Sequence, residues 1–207
     1  MTIQNQMPIM NKLRLTFLLL TPLMWTGCSS TLPETRTYIL PTPAIATGEK
    51  AEAAVSVSIE SVKLADFLTQ RGLVIEEGQH RVVITRYHRW AESLEDGIHR
   101  CLFRDLDRLG RNFRVSDLRK SGDLTQDYQL DFEFDSFHAV GFDTAIASGR
   151  WVLRDFQTRS VIKEAYFDLS TPVRPQNYEG IVGSLATLLE ELAQEVNHHI
   201  EAISETE

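Results

Sequence analysis

A chain of 207 residues, 43% of them hydrophobic, is long enough for one domain with a real core. Its 21 basic and 29 acidic residues give a formal charge of −8, which argues against nucleic acid and against a net hold on anionic lipid, because both depend on an excess of positive charge. Two cysteines, Cys28 and Cys101, are too few for a disulfide framework.

Residues 1–27 read as a secretory signal peptide. Lys12 and Arg14 form a positive start, which opens more naturally at Met10 or Met7 than at Met1. Leu15–Trp25 is apolar apart from Thr16, Thr21 and Pro22. The run falls short of the roughly 20 residues a membrane span needs and fits an h-region. Thr26-Gly27-Cys28 makes its end resemble a bacterial lipoprotein signal, with Cys28 as the lipidated (palmitate-type) mature N-terminus. Trp25 departs from the aliphatic residue usual three positions earlier. Cleavage removes Lys12 and Arg14 and no acid, so the formal charge falls to −10. Several acyl chains would make the anchor stable, and the absence of Asp after the cysteine favours the outer membrane.

Residues 28–54 read as a lipidated tether containing Pro33, Pro41, Pro43 and Gly48, with one strand candidate at Thr37–Leu40. The domain itself is expected over residues 55–207. Val55, Val57 and Ile59 alternate with polar residues, the period of a half-buried strand. Leu64–Thr69 reads as an irregular or helical link. Leu73–Ile75 and Arg81–Thr85 flank a Gly-containing loop and suggest a hairpin. Leu94, Ile98, Cys101, Leu102, Leu106 and Leu109 line one helical face, with Ser93 as N-cap and Gly110 as the residue after the helix. Cys101 on that face reads as a buried small hydrophobe.

Phe113–Ser116 reads as a short strand and Asp117–Gln126 as a polar loop. Tyr128, Leu130, Phe132, Phe134, Ser136, His138 and Val140 share one side of the clearest strand. Turns at Gly141–Asp143 and Gln157–Arg159 lead into Thr144–Asp155 and Val161–Ser170, an antiparallel meander. After Pro172 and Pro175, apolar spacing from Ile181 to Ile203 gives a long amphipathic helix, with Asn177 as cap. The expected fold class is α+β: a single sheet, mainly antiparallel or mixed, covered by two amphipathic helices.

No nucleophile elbow, phosphate loop or zinc-helix motif is present. We therefore assign no catalytic residue, metal site or cofactor. His198 and His199 are neighbours on a helix and point about 100° apart, which is poor for chelation. His138 reads as a satisfied core histidine, and Asp131, Glu133 and Asp135 as a solvated strand face. Arg100, Arg104, Arg108, Arg111 and Arg114 form a basic series with Asp96 and Asp107 at ion-pair spacing. A solvated helix face explains the series, and a docking surface for an acidic partner is the sharper reading. The stretch Arg86–Leu94 holds two aromatic residues, Tyr87 and Trp90, and two arginines, Arg86 and Arg89, and could bind a partner. Packing of Trp90 at the start of the helix is the simpler account.

Tyr38-Ile39-Leu40, then Val55-Ser56-Val57 running through Leu64-Ala65-Asp66-Phe67-Leu68 to Val74-Ile75, and above all Arg89-Trp90-Ala91-Glu92-Ser93-Leu94 resemble the paraquat-inducible C-type (PqiC) lipoproteins. These are also described as ABC-type transport auxiliary lipoproteins. Thr37, Ser93 and Thr69-Gln70 depart from the pattern. The resemblance implies a periplasmic domain like the TolB N-terminal or anticodon-binding arrangement. It also implies a non-enzymatic outer-membrane role with an MCE-domain protein and ABC transport components, in a system that moves lipids or other hydrophobic molecules. A homo-oligomer is compatible with it. Arg89, Trp90, Glu92, Arg100, Arg104 and Arg108 are the candidate partner contacts. Two alternatives come from other classes: a regulator or pilot lipoprotein of another envelope machine, and a lipid carrier with a cavity among Phe132, Phe134, Trp151 and Phe167.

Overall fold

The computed structural model describes residues 33–41, 55–116 and 126–204. Cys28, the signal segment and the loop around Gly122 lie outside these residues. One compact unit spans Thr35–Glu207.

Among the described residues, eight strands and two helices follow in the order β1 (Arg36–Tyr38), β2 (Val55–Leu64), β3 (Gly72–Glu76), β4 (Val82–Trp90), α1 (Leu94–Leu109), β5 (Phe113–Ser116), β6 (Tyr128–Val140), β7 (Thr144–Asp155), β8 (Val161–Pro172) and α2 (Tyr178–Ser204). A 3-10 turn, Asp66–Thr69, links β2 to β3. The strands form one mixed sheet, and the fold is α+β.

The sheet is organised around β6. One of its edges pairs antiparallel with β7, which pairs with β8, giving the expected meander. The other edge is shared. Its N-terminal half runs parallel to β2, from Val57↔Tyr128 to Leu64↔Phe134. Its C-terminal end runs parallel to β3, through Ile75↔Ala139 and Glu76↔Val140. β2 and β3 are thus one interrupted strand along β6. At the interruption the Ala65 amide donates to the Phe134 carbonyl at 2.9 Å. β5 adds to β2 in parallel, β4 to β3 antiparallel, and β1 to β4 in parallel.

Both helices cover one face of the sheet. Leu94, Ile98, Cys101, Leu102 and Leu106 of α1 are buried, as are Ile181, Leu185, Leu188, Leu192, Val196 and Ile200 of α2. Beneath them lie Phe132, Phe134, Phe137, Trp151 and Phe167, each large side chain contributing about 1.5–3 kcal/mol by leaving water. Ser93 caps α1 by accepting from the Asp96 amide at 3.2 Å, and Asn177 accepts from the Gly180 amide at 2.8 Å. Gly110 follows α1 with φ of −60°, outside the left-handed region expected for that position. Its lack of a side chain serves packing instead, since a Cβ there would stand 2.9 Å from the Phe113 ring.

Of the register shifts among the described strands, two bear on the expected alternation. On β6, Phe134 pairs with Gly149 and Ser136 with Ser148, so Asp135 is an extra residue that bulges out. Beyond it Phe137 and Ala139 turn into the helix-covered core, and His138 moves to the other side. Simple alternation put His138 with Phe134, and the bulge corrects it. β4 continues to Trp90, well beyond Thr85. Val74 pairs with Ile84 but Gly72 with Arg89, so Thr85–His88 loops out of register. The Thr85 hydroxyl donates to the His88 carbonyl across this bulge.

Arg36–Pro41, within the stretch read as a tether, is built into the fold. Leu40 is buried. Its carbonyl accepts from Arg100 Nη2 at 3.3 Å, and the Pro41 carbonyl lies 3.2 Å from Cys101 Sγ. Among the described residues no helix is long and apolar enough to cross a membrane.

Candidate functional site

The β4 bulge and β1 build a compact aromatic cluster at the surface. β1 pairs Arg36 with His88 and Tyr38 with Trp90, and the Ala91 amide donates to the Tyr38 carbonyl at 2.8 Å. The Tyr38 hydroxyl lies 2.8 Å from His88 Nδ1. The His88 imidazole stacks on Tyr178, the first residue of α2, and Phe142 from the β6–β7 turn meets Tyr178 edge-on at 5.1 Å. Burial, aided by the neighbouring Arg36 guanidinium, holds the His88 pKa below its ordinary value. Burial also raises the Tyr38 pKa, against an opposing pull from Arg36. Reading the sequence missed this cluster. Its one signal is the polar break Thr85-Arg86-Tyr87-His88 after an apolar run.

The six candidate contacts divide by what they touch. Trp90 is 7% exposed and packs in the core, so it supports the surface from behind. Arg89 is exposed, and its Nε donates to the Arg86 carbonyl at 2.7 Å. Glu92 binds Arg100: Nη1 donates to Oε2 at 2.6 Å, and Nη2 makes an ion-pair contact with Oε1 at 2.6 Å, off the hydrogen-bond axis. The hydrogen bond to Glu92 raises the Arg100 pKa. Arg108 joins the two helices, 3.1 Å from Asp105 and 2.9 Å from Glu190. Burial raises the Asp105 pKa against the pull of Arg108. Arg104 is half-buried and has no ion pair among the described residues. The structure therefore does not present the arginine row of α1 as one free surface. A cleft of about 160 Å³ lies between Thr69–Arg71 and Trp90–Leu94.

The remaining candidates have structural partners. Cys101 is buried, and its thiol pKa is pushed up to about 11 by burial, which makes it unreactive. His138 Nε2 lies 3.3 Å from Glu76 Oε2, with Phe67 edge-on to the ring. Asp131 accepts from Ser61 at 2.6 Å, and Glu133 and Glu164 share Arg150. Phe132, Phe134, Trp151 and Phe167 are all buried, and Phe134 meets Phe167 edge-on at 5.2 Å. Among the described residues no group of His, Cys, Asp and Glu could hold a metal ion.

One sheet covered on a single face by two helices, with an arginine-rich rim where β1 joins, defines a two-layer α+β module. The chain belongs to the family of ABC-type transport auxiliary lipoprotein components, whose model matches residues 38–197. The match includes the Tyr38–Leu40 and Arg89–Leu94 stretches that carry the resemblance to PqiC lipoproteins. A comparison with curated proteins gave no match. Among solved structures, one titled only as an uncharacterized protein is similar, with 21% identity over 81% of this chain and 99% of that one, at a TM-score of 0.69. Protein XCC0632 from Xanthomonas campestris is 12% identical over 79% and 93% of the two chains, at a TM-score of 0.63. At these identities the likeness is one of fold.

Proposed function

We propose that this chain is a non-enzymatic outer-membrane lipoprotein, held by Cys28 and facing the periplasm, that docks an MCE-type conduit of an ABC transport system. The observation that carries the reading is the family match over residues 38–197. The packed state of Phe132, Phe134, Trp151 and Phe167 argues against a lipid cavity among them and so favours a docking role over a carrier. Partner contact centres on the cleft between Thr69–Arg71 and Trp90–Leu94, with Arg89 next to it in the chain and Arg104 further along α1 as charges without an ion pair among the described residues. Trp90 and Glu92 line it and Arg100 holds Glu92, while Arg108 ties the two helices together further along α1.

Crosslinking in cells followed by co-purification tests the partner. Arg89→Glu with Arg104→Glu reduces recovery of the MCE component, and undiminished recovery from the double variant removes this surface from the reading. Failure of the unaltered protein to recover any MCE component removes the partner. Membrane fractionation tests the location: a signal confined to the inner membrane overturns it.

A further inference from the structure

Four arginines without an ion pair among the described residues stand together, two of them, Arg71 and Arg89, in or beside the proposed cleft. Arg81, Arg150 and Arg154 each face a carboxylate. Arg36, Arg71, Arg86 and Arg89 are exposed and form no ion pair among the described residues. All four lie at one edge of the sheet. Arg36 pairs through the backbone with His88, Thr37 with Arg89, and Gly72, beside Arg71, with Arg89. Arg89 Nε reaches the Arg86 carbonyl. Ile39 stands in the same rim at 56% exposure. The nearby acids include Glu34 in the chain, Glu92, which lines the cleft with Arg71 but is paired with Arg100, and Glu179, which acts on Tyr38. Further along α2 the charge is reversed: beyond Glu179 the helix carries Glu190, Glu191, Glu195 and Glu201 and no lysine or arginine. The overall acidity that argued against lipid therefore hides a local excess of positive charge.

The position of this rim relative to the anchor gives it a use. Arg36 follows Cys28 by eight residues, a span of at most about 29 Å. A lipid on Cys28 thus keeps the rim close to headgroups. Arginine side chains with an exposed aliphatic residue suit that interface, because guanidinium groups pair with phosphate while apolar atoms sink below it.

We propose that the β1–β4 rim docks on the anionic phospholipid headgroups of the membrane that holds the anchor, through Arg36, Arg71, Arg86 and Arg89 with Ile39 at the contact. The inference rests on the lipidation of Cys28.

The test uses the full-length lipidated protein in vesicles, with Ile39→Cys carrying an environment-sensitive dye. Cys101 is buried, so position 39 is the thiol that labels. In vesicles of phosphatidylethanolamine and phosphatidylglycerol the emission shifts to the blue, and about 0.5 M salt reverses the shift by screening. In phosphatidylcholine vesicles it stays unshifted. Each of Arg36→Ala, Arg71→Ala, Arg86→Ala and Arg89→Ala lowers the docked-to-free ratio about fivefold. Arg111→Ala with Arg114→Ala, beyond the other end of α1, leaves it unchanged. Equal emission on neutral vesicles, indifference to the four substitutions, or a shift that appears only when a transport protein is added overturns the proposal. Mass spectrometry of the same preparation reads the anchor separately. An unmodified Cys28 removes the anchor and this docking with it, whereas a lipidated protein with a silent label overturns the docking alone.

Discussion

His88 lies flat on Tyr178, ring centroids 3.5 Å apart and planes 12° from parallel, while its Nδ1 faces the Tyr38 hydroxyl at 2.8 Å. One imidazole thereby joins β1, the β4 bulge and the start of α2. Its surroundings favour the neutral ring, with a pKa below the ordinary value. The unfolded chain therefore takes up the proton first as pH falls. Stability from this site is complete above about pH 6.5 and declines from there down through the folded-state pKa. We expect thermal melting to show this loss between neutral and mildly acidic pH, and the His88→Asn variant to lack that step. A His88→Asn melting profile with the same pH dependence would refute the assignment.

Leu40 is expected to behave as a core residue. It is buried against α1, where a Cβ added to Gly97 would meet its Cδ1 at 3.4 Å. Leu40→Ala should cost about 2–4 kcal/mol in urea unfolding, the range for a buried leucine. A loss near zero would show that Arg36–Pro41 is held to the domain only weakly.

Three glycines should respond differently to alanine. At Gly149 a Cβ would collide with the Glu133 carbonyl opposite the Asp135 bulge, and at Gly180 with the Pro175 carbonyl. Each substitution should destabilise by about 2–3 kcal/mol. Gly183, exposed on the same helix as Gly180 with nothing near its missing Cβ, should gain about 0.5–1 kcal/mol from the better helix former. Denaturant midpoints rank all three.

The Glu92–Arg100 pair should show coupling in a double-mutant cycle. The side chains are 32% and 28% exposed, so solvent screening limits the expected interaction to about 1 kcal/mol. Arg100→Ala should cost more than Glu92→Ala, because Arg100 also donates to the Leu40 carbonyl. Equal losses would mean that the Leu40 contact contributes nothing.

Periodicity located most elements because their apolar spacing answers to a single buried face. α1 runs between Ser93 and Gly110 as that spacing requires, and β6 and β7 occupy Tyr128–Val140 and Thr144–Asp155. The bulges were not legible. Asp135 looks like any polar residue in an alternating strand, and only its pairing across from Gly149 shows that it is extra. The parallel pairing of β2 and β3 with β6 is a tertiary choice that leaves no local mark. The candidate site was half legible. Arg89–Leu94 stood out by composition, but whether an arginine is free depends on distant carboxylates such as Glu190. The ring stack of His88 on Tyr178 joins residues far apart in the chain.

The shared edge of β6 also dictates how the chain must assemble. Val57 waits for Tyr128, and Ile75 for Ala139, so the apolar residues of β2 and β3 emerge long before the strand that covers them. Parallel pairings over such separations close slowly, since the loop entropy is spent before contacts repay it. Until β6 is in place, the N-terminal half has two separate groups of strands, β1–β4–β3 and β2–β5, with nothing between them to join them into one sheet. The single sheet is therefore completed only when β6 bridges the two groups.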